Sequence, residues 1–262
     1  MIDLAREVNA PALNRRLFVG TAGWSVPALQ REYFPLEGTH LERYAGCFRA
    51  AEINSSFYHA HQPRTYAKWA ASVPDGFRFA VKVPKQITHE KRLRDAQSLL
   101  DDFLIEVDSL GEKLGPLLVQ LPPSLAFNED VVAQFFSALR ERFSGFVVCE
   151  PRHATWFSPQ AENLLTDYQI ARAAVDPFLV PSANVPGGCH DLVYYRLHGS
   201  PRMYYSNYSH DFLTALAYRL RQAREYSRVW CIFDNTAEFA ATANALTVMK
   251  LAAESGEPNH EN

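Results

Sequence analysis

Eight short stretches rich in β-branched or aromatic residues punctuate this chain, at residues 17–20, 51–54, 77–83, 117–120, 146–150, 170–174, 193–198 and 229–233. Helix-forming sequence follows nearly every one. Helix starts are marked by Pro63 in a first turn, Asn128 ahead of residues 129–143, Ser158 with Pro159, and Thr236 followed by Glu238. Strand and helix therefore alternate, which calls for a parallel sheet, and eight repeats close more naturally into a ring than into an open doubly wound sheet. The pattern predicts an α/β protein, a single (β/α)8 TIM-type barrel. One crossover departs from it: residues 176–191 hold Pro177, Pro181, Pro186, Gly187 and Gly188, so the sixth helix is expected to be missing or irregular.

A closed ring of parallel strands brings its tips to one rim, where (β/α)8 barrels carry their active sites. The first tip here is Gly20-Thr21. The other seven end in chemically able residues: Glu52-Ile53-Asn54, Lys82-Val83-Pro84-Lys85, Gln120, Glu150-Pro151-Arg152-His153, Asp176, Arg196-Leu197-His198 and Asp234-Asn235. Side chains on a barrel strand alternate between the interior and the helix layer. Phe79, Val81 and Val83 suit the helices, which sends Lys82 inward. The same parity turns Glu52 inward with Asn54, Glu150 with Arg152, and Arg196 with His198.

Composition narrows the class without naming a chemistry. At 262 residues the chain is close to the roughly 250 of one such barrel, and 47% apolar residues supply a sizeable core. The expected organisation is an N-terminal extension at 1–16, poorly ordered, a barrel at 17–253 and a flexible tail at 254–262. A net charge of −3 argues against general affinity for polyanions. Cys47, Cys149, Cys189 and Cys231 form no C-x-x-C pair, and no apolar run approaches bilayer-spanning length. A cytoplasmic protein without a membrane partner is expected. The turn after the first strand reads Gly20-Thr21-Ala22-Gly23-Trp24 rather than G-x-G-x-x-G, and Walker-type, H-E-x-x-H and EF-hand patterns are absent, so no cofactor is expected.

Several ordered segments form a known set. They are Gly20-Thr21-Ala22-Gly23-Trp24, Glu52-Ile53-Asn54-Ser55-Ser56-Phe57-Tyr58, Phe79-Ala80-Val81-Lys82-Val83-Pro84-Lys85 with Ile87-Thr88-His89, and Leu118-Val119-Gln120-Leu121-Pro122-Pro123-Ser124. Glu150-Pro151-Arg152-His153 with Trp156, Tyr195-Arg196-Leu197-His198-Gly199 and Phe233-Asp234-Asn235-Thr236 complete it. Together they resemble the YecE-like family, domain of unknown function 72, over roughly residues 17–246. The resemblance implies a TIM-barrel-like fold and no established reaction.

The inward charges define the candidate site. Glu150 and His198 are the expected proton-transfer groups, with Glu52 in reserve, Lys82 as a point charge or Schiff-base former, and Asp234 closing the last strand. Arg152 and Arg196 are expected to grip an anion bidentately, while Asn54, Gln120 and Asn235 orient it and Tyr58 and His153 add hydrogen bonds. Trp24 and Tyr204, the latter in the aromatic loop 201–208, are candidate covers. The expected partner is a small anionic molecule, phosphorylated or sugar-like. A bland alternative has the three cations and three anions merely pairing to finish the barrel, but the surplus of hydrogen-bonding neighbours favours a ligand. For Lys82, a salt bridge to Glu52 or Glu150 is the expected state, because those carboxylates would raise its pKa.

Two rivals remain at this level. One is a metal-dependent phosphodiesterase acting on nucleic acid, with Glu52, His89, Glu150, His153, Asp176, His198 and Asp234 as donors. Cations lie among those donors, and a carboxylate held by guanidinium is a poor ligand, so no metal is expected. The other is a non-catalytic nucleic-acid or ligand-binding module. Arg78, Lys82, Lys85, Lys91, Arg92 and Arg94 form the basic stretch behind it, and nucleic acid is the lesser expectation.

Overall fold

The computed structural model describes residues 16–254, and the expected extension and tail lie outside them except for Arg16 and Glu254. Ten strands make one sheet: β1 (Leu17–Ala22), β2 (Ala50–Ile53), β3 (Arg78–Lys82), β4 (Leu114–Gln120), β5 (Val147–Glu150), β6 (Ile170–Arg172), β7 (Ala174–Asp176), β8 (Gly187–Gly188), β9 (Leu192–Leu197) and β10 (Arg228–Phe233). Parallel pairing runs β9-β10-β1-β2-β3-β4-β5-β6, and β7 pairs with β9. Only Ala173 separates β6 from β7, and its N–H donates to the Cys149 carbonyl at 2.9 Å. The two ends of the parallel run, β6 and β7, are thus halves of one bent strand, and the sheet is a nearly closed barrel of parallel strands.

Helices α1 (His40–Ala45), α2 (Pro63–Ala71), α3 (Gln97–Asp108), α4 (Glu129–Arg142), α5 (Pro159–Asp167), α6 (His210–Ala223) and α7 (Ala240–Ala253) make the connections. Local chemistry starts several of them where the sequence predicts. Asn128 accepts from the Val131 N–H at 3.1 Å and Ser158 from the Ala161 N–H at 3.2 Å, caps worth about 1 kcal/mol each. In α4, Glu129 and Asp130 occupy the first turn and Arg140 and Arg142 the last, which complements the helix dipole.

The last helix departs from expectation. It begins at Ala240 rather than behind Thr236, its N-cap Phe239 sits at φ 63° with no capping side chain, and residues 236–239 form a turn instead. The Ala237 N–H donates to the Tyr204 carbonyl at 3.1 Å, so this turn is stitched to the loop after β9 before the helix can start. The sixth crossover holds no α-helix, only a 3-10 turn at Pro181–Asn184 and the unexpected β8, antiparallel to β6. Arg172 takes the helix's place as an anchor. It pairs with Glu162 and donates to the Ser182 and Val185 carbonyls, while Glu162 also accepts from the Gly188 N–H.

The apolar positions sort into two layers. Phe79, Val81, Val119, Cys149 and Cys231 pack outward among the helices, whereas Phe18, Leu118, Val148, Tyr194 and Trp230 fill the barrel. Phe18 stacks on Trp230 at 5.0 Å, and Trp230 on Tyr194 at 6.1 Å. Among the described residues no helix is long and apolar enough to cross a membrane.

Gly20 marks the tightest approach of two strands. A Cβ there would stand 2.0 Å from the Ala50 carbonyl oxygen, a backbone atom that cannot step aside. Gly20→Ala is therefore expected to lower unfolding free energy by about 3 kcal/mol, read from urea denaturation. A loss below about 1 kcal/mol would show that β1 and β2 separate easily.

Candidate functional site

The interior parity holds along every charged strand. Glu52, Lys82, Glu150 and Arg196 stand above the aromatic plug, and Arg152, His198 and Asp234 follow at the strand tips. Glu52 and Glu150 have no exposed surface, and Arg196 is 1% exposed. Such burial is costly unless every charge is matched.

Arg196 does most of the matching. Its Nε lies 3.0 Å from Glu52 Oε2 and its Nη2 2.7 Å from Glu52 Oε1, a bidentate pair. Its Nη1 lies 3.2 Å from Glu150 Oε2, and Nη2 also approaches Asp234 Oδ2 at 3.1 Å. The Tyr194 hydroxyl donates to Glu52 Oε2 at 3.0 Å. Arg152 completes Glu150 from above, with Nε 2.7 Å and Nη2 2.5 Å from Oε1.

His198 is fixed from both ring nitrogens. Nε2 lies 2.7 Å from Arg152 Nη2 and 3.3 Å from Glu150 Oε1, and Nδ1 faces a carboxylate, which can only accept. A hydrogen therefore resides on Nδ1 and goes to Asp234 Oδ2 at 2.9 Å. The imidazole is held between Arg152, Glu150 and Asp234, with no exposed surface of its own.

These contacts redistribute the expected roles. Burial alone would raise the Glu150 pKa, but Arg152, Arg196 and His198 overcome it and hold the carboxyl well below the usual carboxylate range. Glu150 is thus a fixed anion, unsuited to proton transfer. His198 is sealed behind Arg152, and Glu52 lies beneath Arg196, so neither meets a ligand in this arrangement. Asp234 is held low as well, with Arg196 and His198 opposing its burial, and its carboxylate is one-tenth exposed. Arg196 cannot grip a ligand, because all three guanidinium nitrogens face protein carboxylates.

Lys82 overturns the expected salt bridge. Its residue is 8% exposed, yet among the described residues no carboxylate lies within 4 Å of Nζ, which sits instead 3.9 Å above the Phe57 ring. Burial and then the charge of Arg196 lower its pKa to about 8, against the pull of Glu52, Glu150 and Asp234. Arg152 is the second available cation: its side chain is 17% exposed and Nη1 has no partner among the described residues.

Other expected contributors divide. Tyr204 lies against His198, its ring edge-on at 5.8 Å and its N–H bonded to the His198 carbonyl at 2.5 Å. Gln120 stands beside Glu150 in register, with only a 3.4 Å contact to the neighbouring Leu121 carbonyl. Asn54 has a buried Oδ1 with no partner among the described residues. Tyr58, by contrast, is 75% exposed on the surface. His153 caps its own turn through Thr155, and Trp24 packs edge-on against Trp69 and Phe79 in the outer layer. Asn235 is wholly buried; its Nδ2 ties the Ser206 carbonyl to Asn244 Oδ1, and its own Oδ1 has no partner among the described residues.

Two residues of the site escaped sequence analysis. Tyr194 shares the inward parity of Arg196 and His198 and was readable from it; Phe57 under Lys82 had no local signal. The basic stretch does not form one face. Lys82 points into the barrel, Arg78 bonds backbone carbonyls at the opposite end of β3, and Lys85 pairs with Glu90. Among the described residues no three His, Cys, Asp or Glu side chains gather as a metal-ligand set. A crevice of about 730 Å³ flanks the mouth between the loops after β1, β9 and β10, lined by Leu29, Arg202, Tyr205 and Phe239 among others and by none of the buried charges.

Comparison with known proteins places the chain in a family. The family model described as "Protein of unknown function DUF72" matches residues 18–262. UPF0759 protein YecE of Escherichia coli K12 is 28% identical over 170 residues, 64% of this chain and 60% of that protein. UPF0759 protein YunF of Bacillus subtilis 168 is 26% identical over 153 residues, 55% of this chain and 53% of that protein. The match thus spans less than two thirds of these relatives' length. Crystal structures of DUF72 family proteins from Enterococcus faecalis V583 and Thermotoga maritima MSB8 superpose with TM-scores of 0.76 and 0.74, at 22% and 24% identity. They cover 94% and 91% of this chain, and 100% and 99% of their own, and they speak for the fold.

Proposed function

The chain belongs to the DUF72 family, and on that premise we propose that it is a barrel enzyme binding a small anionic molecule, phosphorylated or sugar-like, at the carboxyl-end mouth. Arg152 Nη1 contacts the anion and Lys82 is the proton-transfer group. One observation carries this reading: every other ion of the cluster is matched by an opposite charge, while among the described residues Lys82 Nζ has only the Phe57 ring and no carboxylate, and Arg152 Nη1 has no partner. A purely structural plug would pair them too, because an unmatched buried cation costs several kcal/mol. The fixed anions Glu52, Glu150 and Asp234 keep the arginines oriented, and the orphaned Asn54 Oδ1 and loosely held Gln120 offer neutral hydrogen bonds. An amine with a pKa of about 8 exchanges protons readily near neutrality.

Inorganic phosphate and phosphorylated three- to six-carbon sugars are expected to raise the melting temperature of the wild type. A ligand at 100 times its Kd stabilises by about 2.7 kcal/mol. Arg152→Gln should remove that shift. An equal shift in Arg152→Gln and Lys82→Met proteins would sink the proposed site.

A further inference from the structure

We infer that Lys82 is a Schiff-base-forming lysine for a small aldehyde or ketone carrying an anionic group. This deepens the reading given above and rests on it. Lys82 ends β3 facing the barrel interior, and the Ser56 hydroxyl, donating to its carbonyl at 2.7 Å, fixes its backbone. Phe57 lies beneath Nζ, and His89, from the helical turn Gln86–Glu90, packs on the same ring at 5.0 Å. The amine therefore has a defined position, one apolar wall and no carboxylate bond to break before it can attack. Of the six lysines it alone is buried; Lys85 and Lys113 stand in ion pairs, and Lys68, Lys91 and Lys250 are exposed.

These features distinguish a nucleophile from a mere point charge. A lysine serving only as a cation gains from a carboxylate in contact that keeps it protonated. Among the described residues none lies within 4 Å of this Nζ, and the charges of Glu52, Glu150 and Asp234 act on it only from farther off, opposed by Arg196. Its lowered pKa agrees with that arrangement. In the step proposed, the neutral Nζ forms a C–N bond to the carbonyl carbon as the C=O π pair moves to oxygen. Nitrogen loses a proton to solvent at the mouth and the alkoxide takes one up, giving the carbinolamine. A second proton from solvent on that hydroxyl lets it leave as water while the nitrogen lone pair closes the C=N bond, and the iminium nitrogen returns the proton to solvent. The product is an imine on Lys82 plus one water, with no change of oxidation state. Arg152 Nη1 holds the substrate's anionic group.

The test incubates the full chain with glyceraldehyde 3-phosphate, and separately with pyruvate, in sodium cyanoborohydride at pH 7.5, followed by intact mass and peptide mapping. The expected result is one reduced adduct per chain with at least one of the two probes, on Lys82, forming at least about tenfold faster than on any other lysine. Ordinary lysines at that pH are almost wholly protonated. Lys82→Arg and Lys82→Met should each lose the fast adduct while keeping the native circular dichroism spectrum. Labelling spread evenly over the exposed lysines with both probes, or a fast adduct surviving in both variants, overturns the inference. Should labelling be even while phosphate still stabilises in an Arg152-dependent way, the Schiff base falls and the anion site stands. With neither seen, both fall.

Discussion

Arg196→Met is expected to destabilise this protein by about 5 kcal/mol or more, enough to unfold much of it near room temperature. Truncating one partner of a single buried ion pair costs about 3–5 kcal/mol, chiefly because the other charge stays buried and unmatched. Arg196 is shared by Glu52 and Glu150, neither of which has any exposed surface, and it also meets Asp234. Arg152 remains to steady Glu150, and Tyr194 is the neutral donor left to Glu52. Arg196→Lys should recover part of the loss, since it restores charge without the planar fork. Adding Glu52→Gln to Arg196→Met should give a double variant more stable than the single one, because the stranded anion is gone. Urea denaturation of the four proteins measures this. An Arg196→Met protein within about 1 kcal/mol of wild type would mean that the network contributes little.

Lys82→Met should act in the opposite direction, raising stability while abolishing ligand-dependent chemistry. A fall in pKa from 10.5 to about 8 corresponds to a penalty near 3 kcal/mol for keeping the amine charged in the fold, at about 1.4 kcal/mol per pH unit. Methionine fills similar space without the charge, so a gain of about 1–3 kcal/mol is expected at pH 7. The pH dependence has a definite sign. Between about 8 and 10.5 the unfolded chain binds more protons at this position than the folded one, so wild-type stability rises with pH across that window and the penalty is complete below it. The advantage of Lys82→Met over wild type should therefore be largest at pH 7 and shrink by pH 9.5. Parallel stability curves for the two proteins would contradict an unmatched amine.

Period and parity made the barrel and the inward charges legible. Phe79, Val81 and Val83 on one side of β3 were enough to send Lys82 to the other, and the same alternation assembled Glu52, Glu150 and Arg196 from strands far apart in sequence. The proline-rich stretch after Asp176 foretold the absent sixth helix, but not that Arg172 would hold the loop in its stead. Pairing within the cluster was not legible, because parity gives a direction and no distance. Equal numbers of cations and anions suggested one-to-one matching, whereas a single guanidinium serves three carboxylates and leaves Lys82 aside. Trp24, His153 and Asn235 sit at strand tips yet turn to packing or capping, which depends on helices and loops that local sequence does not place.

The stacked rings of Phe18, Trp230 and Tyr194 give the barrel a closed floor directly below Glu52. A ligand at the proposed site would therefore enter and leave on the side of Tyr204 and Arg152. In the proposed reaction arrival and departure would share one doorway, so each visitor would have to leave before the next could enter.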